Sequence, residues 1–308
     1  MDKRAWIKSG FLLAAFVMIA YTIHGQNQNE DYTWWNETHD WKPGDPGWRN
    51  WLKISPGYLG PNALPVPPVK KGVIEGPGNM EITASAHFHS GDPTQDFSGK
   101  IFIPFAENKI AVEIYGVIIE HYSFTKEIRD ERFARDRDGR GTAMGDLYFS
   151  TLIQIFRNRK FPNTLLRMAT KTASGNNLAA ARYSDSPGYF FDLSFSKNLI
   201  NGRNIDLTPF GLTGFYSWQT NDELRLQNDA FMYAAGCDIA SKNWQASASL
   251  SGYSGYKNER DRPMQLNFEL AKIFNFGSVK FYYIYGLREW NHNTIRLSLI
   301  FRLGDGVY

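Results

Sequence analysis

From about residue 79 to the C-terminus, apolar and polar residues alternate in twelve stretches, joined by connections that are long, then short, then long again. The last stretch shows it most plainly. Ile295, Leu297, Leu299, Phe301 and Leu303 fall on one parity and Arg296, Ser298 and Arg302 on the other. Before it, Val279, Phe281, Tyr283, Tyr285 and Leu287 oppose Lys280, Tyr282 and Arg288, and Met264, Leu266, Phe268 and Leu270 oppose Gln265, Asn267 and Glu269. Trp244, Ala246, Ala248 and Leu250 face a polar row of Gln245, Ser247, Ser249 and Ser251. A period of two over such lengths predicts strands, since successive side chains of an extended chain point to opposite faces.

Further strands are expected near 228–241, 204–218, 187–197, 163–174, 144–157, 109–124, 98–105 and 79–90, with Pro104 and several glycines interrupting the N-terminal ones. Short turns are expected at Glu107-Asn108, 158–162, 198–203, Lys242-Asn243 and 275–277, and long loops at 125–142, 175–186, 219–227 and 254–262. Tight periplasmic turns and long outward loops are the habit of transmembrane β-barrels. The fold class expected is therefore all-β: a single antiparallel transmembrane β-barrel of about twelve strands in a bacterial outer membrane. A soluble sandwich or lipocalin-like barrel is the rival. It would bury its apolar parity around a dry core and has little use for a charged interior row.

Composition narrows the choice. The chain has 308 residues and a mean hydropathy of −0.41. It has no apolar run of the roughly 20 residues that a spanning helix needs. A barrel escapes that test because only alternate residues face lipid, and the 15% aromatic content suits interfacial girdles. Residues 1–25 read as a secretory signal peptide: basic Lys3, Arg4 and Lys8, an apolar stretch from Phe11 to Ala20, and a polar end at Gly25. Residues 26–78 differ again, with Trp34, Trp35, Trp41, Trp48 and Trp51 followed by Pro61, Pro65, Pro67 and Pro68. The prolines between Gly60 and Pro68 forbid a helix there, so that stretch is expected to be extended or turn-rich. Residues 26–78 are expected to be a periplasmic or plugging arm, either a ligand-contacting plug or a linker packed under the barrel rim, and residues 79–308 the outer-membrane barrel. The formal net charge of +3 gives no reason to expect a nucleic-acid partner, and the single Cys237 makes no disulfide.

Parity places Glu113, Arg167, Lys171, Asp192, Asp206, Asp238, Glu269, Lys280, Arg288, Arg296 and Arg302 in the lumen. These either line a water-filled passage or neutralise one another. Lys280, Arg288, Arg296 and Arg302 on adjacent strands could favour anions or pair with Glu113 and Glu269. The loop from Arg129 to Arg140 is the most charged segment and reads as a solvated outer loop in reach of lipid phosphates. Its Asp136, Asp138 and Gly139 make only part of a calcium loop. No phosphate-cradling glycine loop, zinc-spaced histidine pair or nucleotide fingerprint occurs, so no cofactor is expected.

Three short motifs carry a resemblance: Gly145, Asp146 and Leu147 open one strand, Ala169 to Gly175 reads Ala-Thr-Lys-Thr-Ala-Ser-Gly, and Tyr183 to Tyr189 follows. This resembles the outer-membrane barrels named for the meta-pathway of phenol degradation (MetA-type, transporter-like), over roughly 55 residues. Ala173 departs from that pattern, and the Trp/Pro-rich arm has no counterpart in it. The resemblance implies a transport barrel for small compounds, hydrophobic or aromatic ones among them. Outer-membrane phospholipases are the catalytic rival. Their His-x-Ser-Asn-Gly motif finds here only His87, His89, Ser90 and Gly91 in the wrong order, so no enzyme is expected. The expected function is passage of a small solute, with outer-membrane lipid around the barrel. The alternative is a closed structural barrel docking an envelope protein through residues 26–78.

Overall fold

The computed structural model describes residues 31–74, 76–157, 160–202 and 205–303. The expected signal peptide lies outside them. The chain divides into one unit ending at Lys42 and another from Pro43 onward. The first contains a short helix, α1 (Thr33–Thr38).

The second unit is the barrel. Its strands are β1 (Asn79–Phe88), β2 (Thr94–Phe105), β3 (Ile110–Ser123), β4 (Arg140–Ala143), β5 (Leu147–Phe156), β6 (Asn163–Lys171), β7 (Gly188–Ser196), β8 (Ile200–Asn201), β9 (Asp206–Gln219), β10 (Gln227–Ser241), β11 (Trp244–Gly255), β12 (Met264–Phe274), β13 (Gly277–Arg288) and β14 (Asn293–Arg302). Twelve of them form a closed antiparallel barrel in sequence order; short β4 pairs beside β3, and β8 beside β9. The barrel closes where β1 meets β14, in register from Asn79 opposite Arg302 to Phe88 opposite Asn293. Each expected strand is present, while β4 and β8 lie within connections where the alternation is too brief to read.

The parity of the sequence becomes the two faces of the wall. Leu299, Phe281, Phe268, Ile239, Phe231, Phe191 and Phe149 stand exposed on the outside. Their polar neighbours Ser298, Gln265, Asp238, Asp192 and Ser150 are buried within. A continuous exposed apolar band is stable only against hydrocarbon.

Among the described residues the pairing register shifts at three places, one of them on β5, where Ile155 is the extra residue between Gln154 and Phe156. Between Val117 and Ile119 of β3 one extra residue, Ile118, stands against β2, so that Glu113 and Glu120 face inward despite opposite parity. On β13 the extra residue Leu287 sits between Gly286 and Arg288, opposite Gln265 and Met264.

The loop after β3 is not a solvated ribbon. It begins with helix α2 (Lys126–Glu131), capped by the Thr125 side chain, and its Arg129 and Arg132 are buried. A mixed-charge run looks solvated in sequence because its partners lie far away along the chain.

The two faces differ in what they tolerate. Leu299→Arg puts a charge on the exposed outer band, where Leu299 is 42% accessible, and should cost about 2–4 kcal/mol near the midplane. Ser249→Arg on the inner face should leave most of the folding yield intact. Folding into lipid vesicles, followed by heat-modifiable gel mobility, checks this, and equal yields would overturn the assignment of faces.

Candidate functional site

A barrel of twelve strands is too wide for its own side chains to fill. Residues 48–74 occupy its interior. Contacts trace the segment from the mouth with the long loops to the mouth with the short turns. The Trp48 indole donates to the Phe133 carbonyl (2.8 Å) and the Trp218 indole to that of Ile54 (2.9 Å). Next, the Gly60 amide donates to the Ala181 carbonyl (2.9 Å) and the Tyr253 hydroxyl to that of Leu64 (2.7 Å). Deeper in, Arg167 donates to the Pro68 carbonyl (2.9 Å). At the short-turn end, Gln154 donates to the Gly72 carbonyl (2.8 Å) and accepts from the Ile74 amide (2.8 Å). Ile74 then packs with Phe102, Ala111, Leu152 and Leu165, and the chain passes into β1.

The prolines explain why this stretch is extended. Having no amide hydrogens, Pro61, Pro65, Pro67 and Pro68 need no ladder partners. Two glycines explain how closely it lies. Gly72 has φ +77°, and a Cβ there would stand 2.6 Å from the Ser196 amide nitrogen. At Gly60 a Cβ would fall 2.5 Å from the Arg182 guanidinium carbon.

Two charged layers hold the segment. In the half nearer the short turns, Lys70 pairs with Glu113 (2.6 Å), and Lys71 pairs with Asp238 (2.8 Å) and approaches Glu269 (3.7 Å). Glu269 also receives Lys280 (3.1 Å), Glu81 receives Lys100, and Arg167 pairs with Asp192 (2.6 Å). At the long-loop mouth, Arg182 donates to Glu120 (2.7 Å), Asp92 (2.7 Å) and Thr94 (2.9 Å). Arg132 donates to the other Asp92 oxygen (2.7 Å), and the Asn62 amide joins Asp96 (3.0 Å) to Glu120 (2.7 Å). Burial alone would raise the Asp92 carboxyl, but Arg182 and Arg132 outweigh it and hold it well below the ordinary carboxylate range. His292, 3.6 Å from Asp92, is pushed down to about 4 by burial, which the Asp92 charge only partly offsets.

Of the residues that parity assigns to the lumen, Glu113, Arg167, Lys171, Asp192, Asp238, Glu269 and Lys280 thus lie in ion pairs. Arg296 lies on the inner wall between two cavities. Asp206 sits half-buried at the start of β9. Arg288, beyond the β13 bulge, has a 53% exposed side chain beside Glu289, and Arg302 is exposed at the end of β14. Sequence reasoning missed Lys70, Lys71, Asp92, Arg132 and Arg182, which lie outside the strands and have no parity to read. Glu81 and Lys100 were within reach, since both sit on the inward parity of β1 and β2.

The motif residues form a clamp. Lys171 pairs with Asp146 (2.7 Å) with both side chains fully buried, and donates to Ser184 (3.0 Å) and the Ser186 carbonyl (2.8 Å). Asp146 accepts from the Gly175 amide (2.7 Å), and the Leu147 amide donates to Thr172 and Ser174 (both 3.1 Å). They fasten the loop carrying Arg182 to the start of β5.

An Asp–His–Thr relay also lies within: His87 Nε2 meets Asp96 (2.6 Å) and Nδ1 meets the Thr294 hydroxyl (2.8 Å). Thr294 is 1% exposed and lies on the inner wall.

No protein-family model and no curated protein matches the chain. Solved structures do. An outer membrane channel from Pseudomonas putida F1 aligns at TM-score 0.53 with 11% identity, covering 77% of this chain and 99% of that one. The KdgM porin in complex with oligogalacturonate aligns at TM-score 0.46 with 11% identity, covering 73% of this chain and 99% of that one. The β domain of the Bordetella autotransporter BrkA aligns at 0.45 with 10% identity, covering 74% and 100%. At such identities the likeness speaks for the fold. With the closed barrel and its exposed apolar band, it makes this protein a bacterial outer-membrane β-barrel.

Lys171→Met should leave the Asp146 charge buried without its partner and cost about 3–5 kcal/mol, while the double variant Lys171→Met/Asp146→Asn recovers much of that. Urea unfolding in vesicles measures both. Acid should loosen the long-loop mouth. Folded His292 stays neutral down to about pH 4, whereas an unfolded ring takes its proton near 6.5. Its contribution is therefore complete above pH 6.5 and lost as pH falls towards 4, by roughly 3 kcal/mol at most. Hydrogen exchange at residues 89–93 and 289–292, corrected for intrinsic rates, should rise across that window and do so less in His292→Gln.

Proposed function

We propose that the protein is a plugged outer-membrane channel, with residues 48–74 as the plug and small hydrophilic solutes passing beside it. One observation carries this reading: the plug does not fill the lumen. It is packed tightly only locally, where Ile74 joins the apolar cluster and Gly72 comes near backbone contact with β7. Beside it remains a cavity of about 330 Å³, bounded by Phe102, Glu113 and Leu152 on one side and by Ser247, Ser249, Ser251, Asn267 and Tyr282 towards β11, β12 and β13. A second cavity of about 220 Å³ continues it, sharing Val66, Glu81, Lys100 and Arg296 with the first.

A wall of small hydroxyls on one side of a plugged barrel has a clear physical use. Serine occupies little volume and offers water or solute both a donor and an acceptor. A lining of hydroxyls, amides and paired charges suits polar solutes better than the hydrophobic or aromatic compounds that the meta-pathway resemblance implies. With the short turns periplasmic, the plug enters the lumen from the outer face and leaves it at the inner one.

Single-channel recording in a planar bilayer tests the reading. The intact protein should give small steady steps and a variant lacking residues 26–78 markedly larger ones. Lys71→Gln, which frees the plug from Asp238 and Glu269, should open more often than wild type. Silence in all three would reject a channel in favour of a closed docking barrel.

A further inference from the structure

We propose that Arg296 is the recognition residue for a small oxyanion, a carboxylate or phosphate, within this passage. The inference rests on the cavity being the solute path, and it adds the class of solute.

The other strand-borne cations of the inner wall already have partners. Arg167 has Asp192, Lys171 has Asp146, Lys280 has Glu269 and Lys100 has Glu81. The plug's Lys70 and Lys71 consume Glu113 and Asp238. Among the described residues, Arg296 makes neither an ion pair nor a hydrogen bond to the protein, and its buried Nε has no partner. The groups around it do not supply one. It stands opposite Tyr282 on β13 and Ser85 on β1. The next hydroxyls along, Thr83 and Ser298, are bonded to each other at 2.6 Å. Asp96, the acid beyond, already accepts from His87 (2.6 Å) and Asn62 (3.0 Å).

A guanidinium keeps its charge at any physiological pH and carries five donors in a planar fork that matches two oxygens of an oxyanion. Placed at the junction of two cavities, in contact with both, it has the Asp96 carboxylate in electrostatic reach but no direct partner, so its fork of donors stays open towards the path. A mobile anion can supply what the wall does not. The connected cavities fall in the size range of small-molecule sites, so a solute of a few carbon atoms fits.

The test is calorimetric titration of the detergent-purified, full-length protein with succinate, inorganic phosphate and the neutral analogue succinamide. Succinate or phosphate should bind and succinamide should not. Arg296→Gln should weaken anion binding roughly tenfold or more, and Arg296→Lys less. Equal binding of succinate and succinamide, unchanged affinity in Arg296→Gln, or no anion binding at all would overturn the proposal. The wild-type comparison decides even if the variants fail to fold. Zero-current potentials across a salt gradient separate this inference from the channel reading. A channel that conducts without binding anions or preferring them keeps the passage and loses the site. Anion binding in a silent barrel keeps the site and loses the passage.

Discussion

A backbone amide in hydrocarbon has no water to turn to, so every strand of a membrane-spanning sheet needs a neighbour on both sides. In this protein the β1–β14 ladder meets that constraint, and the rest follows from it. Closing a twelve-strand sheet sets a bore wider than the wall can fill. It also fixes which parity faces lipid, and so sends most charged residues of the wall inward, with Asp229 and Lys272 towards the strand ends as exceptions. The interior therefore has both space and unbalanced charge, and the chain supplies a single answer to both in the segment that leads into β1.

That segment is fitted by alternation as strictly as the wall. Consecutive side chains of an extended backbone point in opposite directions. Lys70 and Lys71 accordingly reach opposite walls, one to Glu113 on β3 and the other to Asp238 on β10 and Glu269 on β12. Buried ion pairs stabilise little relative to apolar packing, but their loss on one side is costly. Their effect here is positional. A one-residue slip would send each lysine to the wrong wall and strand carboxylates that are almost fully buried.

The barrel was legible because period two survives along most strands, and the lipid-facing band needs nothing beyond the identity of alternate residues. What stayed hidden depended on distance or on irregularity. Arg182 and Asp92 are ninety residues apart, yet the guanidinium and the carboxylate meet at 2.7 Å, and nothing local distinguishes either from a solvated loop charge. Arg288 kept its parity in sequence but lies past a bulge, where parity no longer reports the face. The prolines of the arm announced an extended chain; that it threads the lumen appears only once Gly60 and Gly72 are seen against Arg182 and the β7 backbone. The Gly-Asp-Leu and Lys-Thr motifs, read as family marks, turn out to be two halves of one buried clamp.

The same network limits how the proposed channel can open. Full withdrawal of the segment would remove Asn62 from Asp96 and Glu120, Lys70 from Glu113 and Lys71 from Asp238, leaving several carboxylates desolvated and short of donors. Each such loss costs on the order of a few kcal/mol, and together they exceed what a small solute can return by binding. The side facing β2 to β7 is therefore fixed as part of the fold. Among the described residues, the plug's only ion contacts towards β11 and β12 come from Lys71, and the wall opposite includes serine and asparagine that water can satisfy. Movement confined to that side widens the existing cavity without exposing an unpaired acid elsewhere. A small shift of one lysine, with the plug retained, is the opening that the distribution of charge permits.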